Sequence, residues 1–246
     1  MDTTIIYCTD NSLSHPISGL CIRQLKKAAG DRPIVSVSHK PIDLGKNICI
    51  GEHKRCWLTL YKQLLIGVQN AMTEWVHIAE HDCLYTDEHF SFIPKDGTDF
   101  WYNENVLLLQ WSTKNHPELK GMFSRYWTKR LALSQLVCKR DLLMASTEAK
   151  LNVLDQDNIR DILHAGEPGI TRIRRAARWA KSGKPVYLKQ YLQNQLEKET
   201  YRTFKTKTPN VDIRHDANFT GPKRGKRRCY EDQYWGRLED MIGVIA

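Results

Sequence analysis

WVHIAEHD, residues 75–82, is a largely apolar run that ends in the triplet Glu80-His81-Asp82. Such a run, bounded by polar residues, is typical of a short buried strand. Because strand side chains alternate between two faces, we expect Glu80 and Asp82 to point to the same side at the carboxyl end of the sheet, with His81 as a spacer. Two carboxylates there suit Mg²⁺ or Mn²⁺ better than Zn²⁺. The triplet therefore predicts a metal–diphosphate site, and an acidic strand-end turn is the alternative.

The segments before this run predict the sheet to which it belongs. Residues 3–9 (TTIIYCT) and 33–37 (PIVSV) are rich in β-branched side chains and predict two further strands, whereas helical spacing of apolar residues predicts helices between them and over 51–71. Strand–helix–strand units of this length favour parallel pairing with right-handed crossovers. The sequence contains neither GxGxxG nor a Walker A motif, so phosphates would have to be held in another way, for which a bound metal would serve.

The remaining sequence predicts further strands and helices of the same α/β fold. The predicted elements are a strand over 106–111, a helix over 131–154, basic helices over 170–180 and 186–198, and a strand over 210–215. No internal repeat is present, so we predict a single domain over residues 1–246. The predicted fold class is α/β: a mixed, mainly parallel, Rossmann-like sheet flanked by helices, with a basic, mostly helical C-terminal subregion.

Charge is distributed unevenly along the chain. The protein has 246 residues and a formal net charge of +9, yet residues 171–246 hold 18 Lys and Arg against 8 Asp and Glu. The first 170 residues hold 19 Lys and Arg and 20 Asp and Glu, so they are close to neutral. A neutral body with a basic last third predicts a polyanionic partner or anionic ligand, and a solvated basic face is the alternative.

Composition also limits the class of protein. Hydrophobic residues make up 41% of the chain, which favours a folded domain. No apolar stretch approaches the roughly 20 residues that a bilayer span requires, and the N-terminus has no basic segment typical of a signal peptide. Seven scattered cysteines without a CxxC pair indicate reduced core thiols, as in a cytoplasmic protein, rather than a zinc site or disulfides.

Several segments together resemble one protein family. Residues 80–85 (EHDCLY), followed by 88–90 (EHF), are similar to the EHDxLY…HF signature of a group of GT-A-type glycosyltransferases of bacteria and phages. Residues 101–106 (WYNENV) are similar to the strand that follows in that group. Residues 211–221 (VDIRHDANFTG) resemble its C-terminal DIRHGxNxTG motif, and 167–169 (EPG) match an element that precedes it.

The resemblance implies transfer of a sugar from a nucleoside diphosphate sugar, a UDP-sugar in the first instance, with Mn²⁺ or Mg²⁺ as cofactor. On a GT-A fold, residues 1–111 would bind the nucleotide-sugar and residues 112–246 the acceptor. The acidic triplet corresponds to the DxD motif, so Asp82 would be the main metal ligand. Glu80 would contact the metal through water, or the ribose and sugar. His215 matches a C-terminal histidine that often completes the metal shell, although Asp216 stands where the family often has glycine. The alternative for His215 is a strand-end histidine whose ring is satisfied within the fold.

Other residues are candidates for substrate contacts. Ligands of open α/β sheets bind beyond the carboxyl ends of the strands, which predicts a nucleoside contact for Thr9, Asp10 and Asn11, or else a polar turn there. Weaker candidates, in the loop after the second strand, are Lys46 and Asn47. Basic residues after His215 could reach the diphosphate or a polyanion, and a solvated or disordered loop is the alternative; they are Lys223, Arg224, Lys226, Arg227 and Arg228.

The acceptor and its catalytic base are the least constrained features. Glu167 is our candidate base for deprotonating the acceptor, with a structural role in its turn as the alternative; a retaining enzyme would need no such base. The basic last third favours DNA, such as a hydroxymethylated pyrimidine in phage DNA, and the enzyme would then act in the host cytoplasm. Four arginines near Trp179 suit phosphate contacts, with the tryptophan available for stacking: Arg172, Arg174, Arg175 and Arg178.

Three other hypotheses stay open. The acceptor could be a glycan, a lipid-linked sugar or a protein, with the basic face meeting anionic saccharide or membrane phosphate. The chain could instead be a non-enzymatic nucleic-acid-binding protein that uses the sheet as a scaffold. A nucleotidyltransferase is less favoured, because the sequence has no Gly-rich triphosphate loop.

Overall fold

The computed structural model describes residues 3–111, 117–126, 131–154, 167–169, 200–216, 218 and 225–243. Its strands are β1 (Thr3–Thr9), β2 (Ile34–Ser38), β3 (Lys46–Cys49), β4 (Trp75–Glu80), β5 (Cys83–Leu84), β6 (Phe100–Asn103), β7 (Val106–Gln110), β8 (Phe123–Tyr126), β9 (Leu136–Lys139), β10 (Tyr201–Phe204), β11 (Asn210–Arg214), β12 (Gly225–Cys229), β13 (Glu231–Asp232) and β14 (Gly236–Arg237). Its α-helices are α1 (Ile17–Ala29), α2 (Trp57–Asn70), α3 (Asp87–Ser91), α4 (Arg140–Leu154) and α5 (Leu238–Gly243). Short 3₁₀ turns span Pro117–Leu119 and Leu133–Gln135.

The larger sheet has seven strands in the order β10-β6-β9-β4-β1-β2-β3. Strands β4, β1, β2 and β3 pair in parallel, as the strand–helix–strand pattern predicts. Strand β1 is buried along its whole length and alternates between two cores. Ile6 and Cys8 pack with α2 and α4, whereas Ile5 and Tyr7 pack with α1. The predicted mixed, mainly parallel sheet flanked by helices is therefore confirmed.

An antiparallel strand separates the two parallel parts of this sheet. Strand β9 pairs with β4 on one side and β6 on the other. The prediction of a continuous helix over 131–154 is therefore wrong, because only Arg140–Leu154 is helical. Leu136, Val137 and Cys138 are buried on both sheet faces, and a doubly buried strand has the same continuous apolar pattern as a buried helix.

A smaller, five-stranded sheet runs in the order β12-β8-β7-β11-β5. Strands β7 and β11 pair in parallel, and the other pairs are antiparallel. Helix α1 joins the cores of the two sheets: Ile17 and Leu20 pack against the smaller sheet, and Leu25 and Ala28 pack against the larger one. Leu238 of α5 covers the same apolar face of the smaller sheet.

Buried amide side chains form hydrogen bonds at the crossings, where the chain passes from one sheet to the other. Asn103, at the end of β6, donates to the Thr206 hydroxyl at 3.0 Å, and Asn105 donates to the Thr206 carbonyl at the same distance. Asn210, at the start of β11, accepts a hydrogen bond from the Thr86 N–H and donates to Gln135. These bonds satisfy polar groups that would be costly to bury unpaired.

Other sequence predictions have mixed outcomes. Helix α2 begins at Trp57 rather than at residue 51, and residues 50–56, between β3 and α2, belong to neither a strand nor a helix. The predicted helices over 170–180 and 186–198 lie outside the described residues. The described part of the C-terminal region, 200–216 and 225–243, consists mainly of strands. Among the helices described, none is both long and apolar enough to cross a membrane.

Helix α2 approaches β1 so closely that glycine is required at position 67. A Cβ atom on Gly67 would lie 2.3 Å from Cγ2 of Ile6, well inside van der Waals contact. We expect Gly67→Ala to lower the free energy of unfolding by about 1–3 kcal/mol through overpacking, measured by urea denaturation. The matched control is Gly19→Ala in α1, where the nearest atom is 3.6 Å away. That variant should be unchanged or gain up to about 1 kcal/mol from helix propensity. Equal effects at the two positions would contradict this packing.

Two buried histidines make stability depend on pH. Burial, with a smaller contribution from the charge of Arg32, lowers the pKa of His77 to about 3, and burial also lowers the pKa of His89. In the unfolded chain both rings titrate near 6.5. The unfolded state therefore binds more protons below that pH, and the free energy of unfolding should fall as pH drops from 6.5 towards 4.5.

We expect each buried ring to contribute up to about 1.4 kcal/mol per pH unit in that window. Urea denaturation of wild type and His89→Phe at pH 7.5, 6.0 and 5.0 measures the slope, which should be shallower in the variant. The exposed His53 supplies the control His53→Gln, which should keep the wild-type slope. Equal slopes in wild type and His89→Phe would contradict the assignment.

Candidate functional site

The chain crosses from the larger to the smaller sheet at His81 and Asp82, between β4 and β5. The Asp82 carbonyl accepts a hydrogen bond of 2.7 Å from the Ile213 N–H of β11. Strand β5 then pairs antiparallel with β11, with Cys83 opposite Asp212. Because β11 ends at Arg214, this pairing places His215 beside Asp82.

Three side chains meet at this crossing: His81, Asp82 and His215. One potential ligand atom from each lies within 4.8 Å of the others, and His215 Nε2 is 3.5 Å from Asp82 Oδ2. The His215 side chain is only 5% exposed, and its Nε2 atom makes no hydrogen bond. A buried nitrogen without a hydrogen bond is costly unless a ligand completes it, so the nitrogen and oxygen donors here fit a divalent cation.

The electrostatics of the group favour an ionised Asp82. Burial by itself would raise the pKa of Asp82, but the contact with His215 and the charges of His81 and Arg214 outweigh burial and hold the pKa well below its usual range. Burial lowers the pKa of His81, even though the carboxylates of Asp82 and Asp10 oppose that shift. At neutral pH the group therefore offers a carboxylate together with a neutral His81 ring, both competent to bind a cation.

Asn218, in the loop after β11, makes hydrogen bonds to two members of this group, Asp82 and His215. Its side-chain Nδ2 donates to Asp82 Oδ2 at 2.7 Å, and its Oδ1 accepts from the His215 backbone N–H at 2.6 Å. One amide thus fixes the position of Asp82 relative to His215. Asn218 belongs to the segment that resembles the DIRHGxNxTG motif, which was the sequence signal for this residue.

His81 is held from the end of β1. Its Nδ1 atom lies 2.9 Å from the Thr9 hydroxyl and 3.5 Å from Asp10 Oδ1. The other oxygen of Asp10 forms an ion pair with Arg55. Burial raises the pKa of Asp10, but the hydrogen bond to Ser12 and the charges of His81 and Arg55 lower it to below its usual range. Asp10 is therefore ionised and orients His81.

The structure places Glu80 and His81 differently from the alternation argument. Strand β4 ends at Glu80, and the chain turns at His81 and Asp82, so the two-residue period does not reach Asp82. Among the described residues, Glu80 is not a member of the group of potential ligands. His81, interpreted from the sequence as a spacer, is a member instead. The turn is the physical reason, because it replaces alternation with a crossing between sheets.

Other predicted binding residues occupy defined positions. The Asn11 side chain accepts a hydrogen bond from the Lys40 N–H. Lys46 and Asn47 lie in strand β3 rather than in a loop, which corrects that prediction. Lys46 donates to Asn70, and the Asn47 amide donates to the hydroxyls of Ser36 and Ser38. Their predicted role in substrate binding stays a prediction.

Glu167 is buried in a turn that packs against β6. The Tyr102 hydroxyl donates to the Pro168 carbonyl at 2.6 Å, and the Gly169 backbone lies close to Phe100. These contacts give the turn a structural role, and a catalytic role for Glu167 stays a prediction.

The predicted basic contacts are only partly described. Arg228 is exposed at the end of β12, and the backbone of Lys226 and Arg227 belongs to the same strand. The remaining predicted contacts lie outside the described residues: Arg172, Arg174, Arg175, Arg178, Lys223 and Arg224.

Three residues near the site had no strong sequence signal. Gln63, on α2, donates to the Thr9 and Val37 carbonyls at the ends of β1 and β2. His39 follows β2, is 6% exposed and has an Nε2 atom without a hydrogen bond. Arg55 precedes α2 and pairs with Asp10. Gln63 could have been found as a polar residue on an otherwise apolar helix face, but the other two depend on tertiary contacts.

No known protein-family profile matches the sequence, and no curated protein matches it. Solved structures with partial similarity include TarS 1-349 from S. aureus in complex with UDP-GlcNAc, at 12% identity and TM-score 0.44, covering 89% of this chain and 60% of that chain. GlyE from Streptococcus pneumoniae is 10% identical with TM-score 0.39, covering 83% and 45%. The bifunctional IspDF from Campylobacter jejuni is 13% identical with TM-score 0.39, covering 60% and 43%. The chain spans less than two thirds of each, and TM-scores below 0.5 carry no functional assignment.

The geometry predicts direct binding of a divalent cation. We expect Mn²⁺ to raise the melting temperature of the chelator-treated protein, because a ligand that binds only the folded state stabilises it by linkage. Asp82→Asn should weaken Mn²⁺ binding at least about tenfold, since it removes the only carboxylate of the group. Asp43→Asn is the control, because Asp43 is exposed and pairs with Lys26. An unchanged Mn²⁺ shift in Asp82→Asn would exclude this group as the site.

Proposed function

We propose that the protein is a metal-dependent glycosyltransferase that uses a nucleoside diphosphate sugar, with a UDP-sugar as the first candidate donor. The observation that carries the proposal is the meeting of Asp82 and His215 at the carboxyl end of β4, 3.5 Å apart. These are the two residues for which the family resemblance implies metal ligation, and they come from segments far apart in the chain. Strand ends of α/β sheets are also where nucleotides bind.

Asp82 and His215 would hold Mn²⁺ or Mg²⁺ in this scheme. When bound, the ion would neutralise negative charge that develops on the departing diphosphate. The protein's own contribution is to keep Asp82 ionised and fixed. The Asn218 amide and the Ile213 N–H hold Asp82 from two directions, so little reorganisation is needed when the donor binds.

The nucleoside would lie beyond the ends of β1 and β2. Thr9 ends β1 and is followed by Asp10 and Asn11, and His39 follows β2 with a buried Nε2 atom that makes no hydrogen bond. Arg55 is partly exposed beside Asp10, so its guanidinium is near enough to this sheet edge to meet an anionic donor. Glu80 would contact ribose or sugar, and Lys223 and Arg224 the diphosphate.

DNA is our preferred acceptor, with a hydroxymethylated pyrimidine in phage DNA as the specific candidate. The support is the charge distribution, with 18 basic against 8 acidic residues in 171–246. Glu167 would deprotonate the acceptor hydroxyl if transfer inverts the sugar configuration. Such an enzyme would work in the cytoplasm, that of the host if the chain is encoded by a phage.

We expect the protein to hydrolyse a UDP-sugar only when Mn²⁺ or Mg²⁺ is present. The released UDP measures this hydrolysis. Asp82→Asn and His215→Gln should each lower kcat at least about 100-fold, whereas Asp43→Asn should keep the wild-type rate. A panel of UDP- and other nucleotide-sugars identifies the donor. Activity that survives chelation and both substitutions would contradict the proposal.

The acceptor is tested with the same protein by mass spectrometry of the product. Duplex DNA with hydroxymethylated pyrimidines should gain one sugar, and the rate should fall steeply between 50 and 200 mM salt, as counterion release requires on DNA. Transfer to a glycan or protein at an equal rate would replace DNA as acceptor. Nucleic-acid binding without any sugar transfer would favour the non-enzymatic alternative.

A further inference from the structure

We propose that strand β12 and the β13–β14 hairpin that follows it form a binding surface for single-stranded DNA, in which Arg228 contacts phosphate and Tyr230 and Tyr234 stack on unpaired bases. The inference deepens the proposed function and rests on it in taking DNA as the partner. It adds the face of the protein that receives the acceptor, and it states that the acceptor strand is unpaired when bound.

The surface lies at the same end of the smaller sheet as the candidate site. Strand β12 pairs with β8, β8 with β7, and β7 with β11, so one residue of each strand falls in a single row. The row consists of Cys229, Phe123, Leu109 and Ile213. Because β12 and β11 run in the same direction, Tyr230 leaves this row on the same side as Arg214 and His215. Three strand spacings put the two ends of the row roughly 14 Å apart.

The segment that leads into this surface is strongly basic. Residues 223–228 (KRGKRR) contain five Lys or Arg and no acidic residue. The backbone of 225–228 belongs to β12, the end strand of the smaller sheet, and the Arg228 side chain is exposed. A basic end strand also discourages edge-to-edge pairing of sheets, so charge alone does not identify a ligand. The aromatic residues that follow β12 do.

Two exposed tyrosines follow the basic strand. Tyr230 and Tyr234 are each 57% exposed, whereas the other large hydrophobic side chains exposed in the described ranges, Met72 and Tyr201, lie on or beside elements of the larger sheet. Four residues of extended chain span at most about 14 Å, so one short DNA strand can reach both rings. Cationic groups that hold phosphates, next to aromatic rings that stack on bases, are the combination that binds single strands.

Tyr234 is held in place although its side chain is exposed. It lies at the tip of the hairpin, where Asp232 Oδ1 accepts hydrogen bonds from the N–H groups of Tyr234 and Trp235 at 3.0 and 3.1 Å. The Trp235 indole N–H donates to the Pro209 carbonyl at 2.8 Å, and its ring packs against the core of the smaller sheet. The Tyr234 ring meets the Trp235 ring edge to face, with centroids 5.0 Å apart. A ring fixed in advance loses less conformational freedom when a base stacks on it.

The charges of the hairpin favour bases rather than phosphates beside the tyrosines. Glu231 lies opposite Arg237 in the hairpin, and Arg237 Nε is 3.7 Å from Glu239 Oε2. The hairpin therefore carries little net positive charge of its own, and the cationic residues are those of β12. A bound strand would place its phosphates along β12 and its bases over the hairpin.

This arrangement selects an unpaired strand. In a duplex the faces of the bases are stacked on one another, so exposed tyrosines cannot reach them. Transfer of a sugar to a base likewise requires a base that is outside the stack. A surface that binds the unpaired strand roughly 14 Å from the candidate site would therefore hold the acceptor where transfer needs it.

Fluorescence anisotropy with the full chain, without any nucleotide-sugar, tests the inference. Three labelled ligands of about 12 nucleotides per strand are compared: a thymidine strand, an abasic strand with the same phosphates, and a duplex. We expect the thymidine strand to bind at least about fivefold more tightly than the abasic strand, because only the former can stack, and more tightly than the duplex.

The variants separate stacking from charge. Tyr230→Leu and Tyr234→Leu should each raise the Kd for the thymidine strand at least about fivefold without changing its salt dependence. Tyr234→Phe should keep the wild-type affinity, because the ring remains. Arg228→Gln should instead reduce the slope of log K against log salt by about 0.7, as expected for one phosphate contact on a single strand.

Two controls should match wild type in these measurements. Tyr201→Leu removes a tyrosine that is 47% exposed on β10, in the larger sheet. Arg23→Gln removes an exposed arginine of α1. An equal loss of affinity in either control would show that the effect does not belong to this surface.

Absence of binding to the thymidine strand, equal affinity for the thymidine and abasic strands, or tighter binding of the duplex would overturn the inference. So would a loss of affinity in Tyr234→Phe equal to that in Tyr234→Leu. Single-strand binding through the tyrosines without sugar transfer would retain this inference and contradict the proposed function. Sugar transfer to DNA at an unchanged rate in both Tyr→Leu variants would do the reverse.

Discussion

The backbone hydrogen bond from the Ile213 N–H to the Asp82 carbonyl, 2.7 Å long, joins the two sheets at the point where the candidate site forms. It extends the antiparallel pairing of β5 with β11 to the residue at which the chain leaves the larger sheet. Because of this bond, a carboxylate from one sheet and His215 from the end of the other share one location. The pairing also explains why the site can be rigid, since both contributing backbones are held by strand hydrogen bonds rather than by loops alone.

The rest of the fold stabilises that crossing. Helix α1 packs against both sheets, with Ile17 and Leu20 on one core and Leu25 on the other, so the sheets cannot separate without exposing apolar surface. Where strands pass between the sheets, the Asn103 side chain accepts a hydrogen bond from the Asn105 N–H, and the Asn210 side chain accepts one from the Thr86 N–H. Buried amide side chains therefore supply hydrogen-bond partners at the crossings, where strand pairing alone leaves backbone groups without partners.

Sequence patterns predicted the parallel half of the larger sheet well, because β1 and β4 are short apolar strands with clear polar boundaries and a helix of ordinary length between them. The same reasoning failed over 131–139, where β9 is buried on both faces and therefore has no alternation to distinguish it from a helix. The sequence pattern also placed the start of α2 too early, because the irregular segment after β3 is held by contacts with distant residues, including the ion pair of Arg55 with Asp10.

The sequence by itself determined the α/β class, the strand that leads to Glu80-His81-Asp82, and the candidacy of Asp82 and His215. Only the tertiary structure decided that His81 rather than Glu80 joins them, and that Asp10 faces His81. The physical reason is that the alternation of side chains between the two faces of the sheet ends where β4 ends. Beyond Glu80 the direction of each side chain is set by a turn between two sheets, and that turn depends on pairing with a strand far along the chain. Local spacing can name the residues of such a site, but long-range pairing selects which of them meet.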